Sequence, residues 1–420
     1  MDSTDIAKHC DGYPSFMPRS ITSLGFLPLT DIFAKGPTGR KVNLSTVCHV
    51  LYWTACFIFM AIEVSSSAYI MAEMIAVPKT DNPLLMAFLE ASFAFEMYRG
   101  PIFCIIILTH CKAGIRLMVQ ETERLVVCFM LSENVIRKIR RMTTALLVIA
   151  AVTIIGIAGI ICTRWHFVHP YTMNIKPYFA LPTDLVIALI TVFSFTPELL
   201  ARFTLVLVFG SGMVLLACVK VMKSKVCEKE GMSLHGLQRA RCQYYALAKT
   251  LSAITESVGG VMAFSILADF VPICGRATRW FFTIPAETTV GKLDQRLADY
   301  RSAVYSVVGI VFHLIVMYSP FVLLHREAGK MYSKLLSQKR ELFTKNPSQQ
   351  SEELNELDNL LHDFGEQPLV LTLLPGFQIR ENFVLMIATV LSSYVIICYQ
   401  LLKDSSHPLA KSDSMNCTSF

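Results

Sequence analysis

The chain has 420 residues, 53% hydrophobic and 17% charged, with a mean hydropathy of +0.49 and a formal net charge of +6. A soluble domain is nearer a quarter charged, so this balance argues against an ordinary globular enzyme and for an integral membrane protein. The net charge is too small, and too spread out, to suggest a nucleic-acid surface.

Residues 1–45 carry no secretory signal, because the apolar run Ile21–Leu29 is short and broken by Gly25 and Pro28. The first membrane span then serves as the insertion signal, and residues 1–45 are expected to be a cytosolic N-terminal segment. Seven spans are predicted in chain order: 46–66, 84–108, 143–161, one within 184–222, 258–274, 303–324 and 383–402. Each approaches or exceeds the roughly 20 residues that a 30 Å hydrocarbon core requires. The fourth apolar stretch is too long for one straight crossing. It contains Pro197, Glu198 and Arg202, yet 185–196 is too short to cross alone, so a single overlong helix is expected.

Orientation follows from the basic residues. The segments 1–45, 112–141, 220–249 and 326–380 together hold 26 Lys and Arg, against 10 in the segments on the other side. The excess marks the cytosolic side, with the N-terminus inside and, after seven crossings, the C-terminus outside. The sequon at Asn416 then lies outside and that at Asn43 inside. Basic clusters such as Arg137–Arg141 act as topology determinants and lipid-headgroup contacts.

The cytosolic segments are themselves helical in pattern. Leu234–Thr255 leads straight into span five, and Arg326–Leu342 continues span six as a charged helix. Leu354, Leu357, Leu361 and Phe364 form an apolar stripe at helical spacing. Such a stripe needs cover, either from the chain's own loops or from other subunits.

Several ionisable groups lie in the spans. Glu96 with Arg99, and Glu198 with Arg202, have the spacing of internal pairs. Glu90, Asp269 and His313 either fix helix packing or open to a cavity in the outer half of the bundle. Trp280 and Tyr305, among other aromatics, belong either to an interfacial belt or to the wall of a ligand pocket. The thirteen cysteines form no framework. Cys10, Cys111, Cys128, Cys227 and Cys242 fall in cytosolic segments, and only Cys162, Cys274 and Cys417 fall where an oxidising compartment would meet them. No metal-ligand spacing, nucleotide-binding loop or catalytic motif is present, so no cofactor, metal or enzymatic role is expected.

Span seven is the most distinctive. Met386, Thr389, Ser393, Ile396 and Gln400 recur at three and four residues and share one helical face. Phe383, Val384, Ile387, Val390, Leu391, Val395, Ile397 and Leu401 make up the rest. A stripe of uncharged polar groups lines water without placing charge in hydrocarbon; the same stripe also serves helix packing.

The run Ser393-Tyr394, five mainly apolar residues, then Gln400-Leu401 resembles the C-terminal signature of the insect-type gustatory receptors, which are related to the insect odorant receptors. In that signature Thr stands where this chain has Ser393, and Phe where it has Leu401. Gly376-Phe377-Gln378-Ile379 is similar to the lead-in before the family's last helix, and Gly25-Phe26-Leu27-Pro28 to its N-terminal entry. The resemblance implies an all-α integral membrane protein of seven transmembrane helices with cytosolic helical extensions, located in the plasma membrane. It implies a gustatory-type chemoreceptor acting as a ligand-gated, non-selective cation channel opened by a small-molecule tastant. Four such subunits, alike or related, would assemble with span seven around the pore. Ile396 and Gln400 would form its narrow part, with Ser393 and Thr389 lining it. A ligand pocket would lie in the outer half, with Glu90, Asp269, His313, Tyr305 and Trp280 as candidates. The implied division is an N-terminal segment 1–45, a ligand-binding bundle 46–324, a cytosolic anchor 325–378, a pore helix 379–402 and an outer tail 403–420.

The main rival is a metabotropic seven-helix receptor, which needs its N-terminus outside and, usually, an Asn-Pro-x-x-Tyr motif in span seven. This span contains no proline. A secondary transporter, the second rival, predicts internal repeats that this sequence lacks. The tastant's chemical class is left open by the resemblance.

Overall fold

A computed structural model describes residues 111–163, 183–227, 233–283, 290–345 and 352–405, with isolated residues in 54–61 and 102–107. In 154–163, 183–198, 272–273, 276–283, 290–315 and parts of 383–405, only the backbone is described. Most of predicted spans one and two, the linkers at 164–182 and 284–289, and the tails at 1–45 and 406–420 lie outside the described residues.

Helix α1 runs Lys112–Cys128 and α2 runs Glu133–Thr163. Ile115, Met118, Thr122 and Leu125 recur at three- and four-residue steps and are buried together, which is why α1 forms and which face it hides. The helix ends in a six-residue closure. Leu131 N–H donates to Val126 O, and Met130 N–H to Val127 O, with Met130 itself at φ +50°. A glycine usually occupies that left-handed position, and here an exposed methionine holds it.

Helix α3 spans Thr183–Cys227 in one piece, running through Pro197, as expected from a fourth apolar stretch that does not divide. Between Leu200 and Val226 it is buried almost all round, so it shows no amphipathic stripe. Helices α1 and α2 pack along it. The buried hydroxyls of Thr122, Thr143 and Thr204 donate to the carbonyls four residues back, at 2.7, 2.9 and 3.0 Å, so none is left unmet.

Helices α4 (Leu234–Thr283) and α5 (Val290–Lys345) are longer still, at 50 and 56 residues. At 1.5 Å per residue they extend about 75 and 84 Å, well over twice a hydrocarbon core of roughly 30 Å. The helical segments expected at 234–255 and 326–342 are thus continuous with the apolar segments beside them. Two described segments, Leu199–Val226 and Leu234–Val271, are long and apolar enough to cross a membrane. Helix α5 passes through Pro320 unbroken. The proline has no N–H for the carbonyl of Val316, and Ser319 Oγ donates to that carbonyl instead, at 2.8 Å.

Helix α6 (Glu352–Glu366) is followed by a hairpin of β1 (Leu371–Leu374) and β2 (Phe377–Ile379), then by α7 (Phe383–Ser405). The strands pair antiparallel, Leu371 with Ile379 and Thr372 with Gln378, around a Pro375-Gly376 turn in which Gly376 has φ +85°. Pro followed by a left-handed Gly is the pairing a type II turn requires. The hairpin is a departure from the purely helical expectation. Its glycine-aromatic segment, anticipated as a lead-in to the last helix, forms the turn at Gly376 and strand β2.

The described residues fall into two compact units. One holds those in 54–61, 102–264 and 316–381, with α1, α2, α3, α6, the hairpin and parts of α4 and α5; its core surrounds α3. Small residues allow the closest helix approaches in it. A Cβ on Gly114 would stand 2.7 Å from Ser257 Cβ, and one on Gly212 would stand 2.9 Å from the Phe321 ring. The other unit holds the described residues of 265–315 and 382–405. In it Ser265 and Asp269 are buried, and Tyr394 OH donates to the carbonyl of Cys274 at 3.2 Å.

Candidate functional site

Helix α7 carries the predicted pore stripe. Of its described side chains, Phe383 is buried, and Ile387 and Tyr394 are half-buried. At 100° per residue these three fall on one narrow face. The exposed side chains from Leu385 to Gln400 fill an arc of about 200° on the remainder. Met386, Thr389, Ser393, Ile396 and Gln400 occupy the middle of that arc, and Ile396 is 56% exposed. Leu385, Val390 and Ile397 are exposed on its flanks. Thr389 and Ser392 turn their hydroxyls back onto Leu385 O and Ala388 O, at 2.9 and 2.8 Å. Both hydroxyls keep their acceptor lone pairs outward while their protons stay on the helix.

The segment before α7 is built differently. On α6, Leu357, Leu360, Leu361 and Phe364 are buried. The expected stripe is therefore covered within the chain, with Leu360 added and Leu354 only half-buried. The Phe364 ring lies 4.1 Å from that of Tyr244 on α4 and 6.1 Å from that of Tyr332 on α5. Around it, Arg241 Nε donates to Asp363 at 2.7 Å and its guanidinium reaches Glu356 at 3.6 Å. Tyr245 OH donates to Asp363 at 3.1 Å, and Tyr244 OH donates to the carbonyl of Gln367. The hydrogen bond to Asp363 holds the Arg241 guanidinium above its ordinary value, and burial pushes the Tyr244 phenol up. Nearby, Glu327 on α5 pairs with Lys223 on α3 at 2.8 Å and with Lys330 at 2.8 Å; those two hydrogen bonds hold its carboxyl at about 2. Burial lowers His325, opposed by Glu381 and aided by Arg380, both in the link between β2 and α7.

This aromatic and charged cluster was not anticipated residue by residue. Its signal in the sequence was Asp363 beside Phe364, an acid adjoining an apolar stripe whose partner must carry a base.

The predicted ligand-binding residues are only partly placed. Asp269 is buried on α4 and is not without a partner. Trp280 lies on α4, and Tyr305 and His313 on α5, with their side chains outside the described ones. Glu90, and the Glu96–Arg99 pair, lie outside the described residues, as does the Glu198 side chain. Leu401 and Val395 of the last helix are placed by backbone only. Among the described residues no group of acids, histidines and cysteines has the arrangement of a metal site, and Cys274 is buried.

No protein-family profile and no curated protein matches this sequence. Solved structures do match in fold. The chain is similar to the olfactory receptor OR5 of the insect Machilis hrabei, at a TM-score of 0.58 over 91% of this chain and 98% of that one, with 11% identity. It is similar to the same receptor in complex with eugenol at a TM-score of 0.55, with the same coverage and identity. The chain thus has the helical fold of the insect olfactory receptors.

Proposed function

We propose that this chain is one subunit of a gustatory-type chemoreceptor, a ligand-gated, non-selective cation channel opened by a small organic tastant. The observation that carries the reading is the placement of the α7 stripe. In a chain with the fold of an insect olfactory receptor, the polar stripe of the last helix sits at the centre of that helix's exposed arc. Four copies of α7 facing an axis would give that arc a use. Ile396 then excludes water at the constriction, and Gln400, one turn on, offers an amide ring that hydrates a cation without trapping it. Ser393 and Thr389 continue the lining. The gustatory assignment rests on Ser393-Tyr394 and Gln400-Leu401.

The same proposal includes seven crossings, a cytosolic N-terminus, an extracellular C-terminus and a plasma-membrane location, from the distribution of Lys and Arg. A small-molecule pocket among Glu90, Asp269, His313, Tyr305 and Trp280 belongs to it as well. Eugenol, seen with the olfactory receptor of similar fold, sets the scale of ligand expected. A metabotropic mechanism is not favoured by this fold.

Thiol accessibility tests the pore. Cysteines at 396 and 400 should react with aqueous thiol reagents when ligand opens the channel, and cysteines at 395 and 401 should not. Reaction confined to 395 and 401 would remove the stripe from the pore.

A further inference from the structure

Helices α1 and α4 run antiparallel along a seam that can be followed residue by residue. Just ahead of α1, the Phe103 ring meets the Phe264 ring, centroids 5.0 Å apart. One stretch on, Gly114 lies so close to Ser257 that an added Cβ would stand 2.7 Å from the serine's own. Two turns further, Glu121 reaches Lys249 at 3.5 Å. From Gly114 to Glu121 the number on α1 rises by seven while that on α4 falls by eight, from 257 to 249. Another two turns in the same register set Cys128, the last residue of α1, against Cys242 on α4. The charge of Cys242 is in fact among those felt at the Cys128 thiol. Both cysteines are free and exposed.

We propose that Cys128 and Cys242 are a redox-sensitive thiol pair whose disulfide staples the end of α1 to α4. A disulfide needs Cα atoms roughly 4.4–6.8 Å apart. The close approach at Gly114 brings the helices together, and the chain turns away at Met130 directly after Cys128. Both positions lie in segments that the basic residues assign to the cytosol, where thiols rest reduced. The oxidant is therefore a peroxide. One thiolate attacks a peroxide oxygen and expels hydroxide, which becomes the first water and leaves a sulfenic acid. The second thiol displaces hydroxide from that sulfur as its own proton departs, giving the S–S bond and a second water. Two sulfurs thus supply the two electrons that reduce hydrogen peroxide. Cys128 is exposed at the surface yet partly desolvated by its neighbours, and that desolvation holds its thiol above the ordinary value, which casts it as the resolving partner. Thiol exchange with glutathione reopens the bond.

Non-reducing peptide mapping of the full-length protein in membranes, treated with hydrogen peroxide, tests this. The wild type should lose two alkylatable thiols per chain, yield a peptide linked through 128 and 242, and recover both thiols in dithiothreitol. C128S and C242S should each lose the link. Phenylarsine oxide, which needs two adjacent thiols, should be retained by the wild type and released by both variants. Persistence of both thiols as separately alkylated residues after peroxide, or a link from Cys128 to the buried Cys218 instead, would overturn the pair.

Discussion

Helices α6 and α7 are separated only by a short hairpin, and they are finished in opposite ways. The apolar stripe of α6 is covered inside the chain, by Tyr244 and Tyr332, and the polar groups around it are tied to Arg241. The stripe of α7 is exposed along its whole described length. One helix is covered in a single copy; the other is left exposed, and under the proposed function lipid or other copies would cover it. Substitutions should therefore separate cleanly. Those on α6 and its supports change stability, and those on the α7 stripe change function with stability nearly untouched.

The largest expected effect is at Phe364. Phe364→Ala removes the ring between Tyr244 and Tyr332 and should cost about 3–5 kcal/mol, read as a lower unfolding midpoint of purified protein. A loss under 1 kcal/mol would mean that α6 is less firmly seated than its contacts indicate. Next is Gly114→Ala, whose methyl collides with Ser257 and should cost about 1–3 kcal/mol. Adding Ser257→Gly should return part of that loss, and strict additivity of the two changes would show that they do not touch.

A smaller effect is expected from pH at Glu327. Its folded carboxyl titrates near 2, below the ordinary value of 4.5, so the unfolded chain takes up this proton first as pH falls. The Lys223–Glu327–Lys330 cluster then contributes its full stability above about pH 4.5, and loses it progressively as pH drops towards 2. Glu327→Gln should flatten that part of the acid-stability curve. An identical curve for the variant would assign the acid response to other carboxylates. The smallest effect on stability is expected at Ile396→Thr, within about 0.5 kcal/mol because the side chain is exposed in the single chain. The same variant should raise current without ligand, since a polar ring no longer excludes water. Unchanged current with a marked loss of stability would reverse the roles given to the two helices.

What was legible in the sequence follows from where the physical signal is local. The runs through 234–255 and 326–342 predict long helices, because neither holds a proline and each holds a single glycine, Gly236 or Gly329, and α4 and α5 bear this out. The α6 stripe is local too, since Leu357, Leu361 and Phe364 mark one face without help from the rest of the chain. The hairpin was missed because Leu369–Leu374 is nearly continuously apolar. With β1 four residues long, period-two alternation had no room to appear; only Pro375-Gly376 gave a signal. For Glu90, Asp269, His313, Tyr305 and Trp280 the sequence gives depth along a helix, while a pocket is defined by convergence between helices. The packing of Arg241 against Asp363 is likewise a tertiary fact, 122 residues apart in the chain. The exposed arc of α7 was the favourable case, because the stripe and its face belong to the same helix.

The repair at Pro320 bears on how α5 behaves as a mechanical element. A proline in a helix ordinarily makes a soft joint, since one carbonyl loses its amide and one ring crowds the turn behind it. Here the hydroxyl of Ser319 takes over that carbonyl at 2.8 Å. The joint is thereby stiffened, and its compliance is set by a single oxygen–oxygen contact that a water molecule or a rotamer change is able to release. Ser319→Ala would leave the helix its length and sequence register while lowering its bending stiffness at one turn. A rod with one adjustable joint passes a push from end to end differently from a uniform one, and in α5 that adjustment lies with the residue just before the proline.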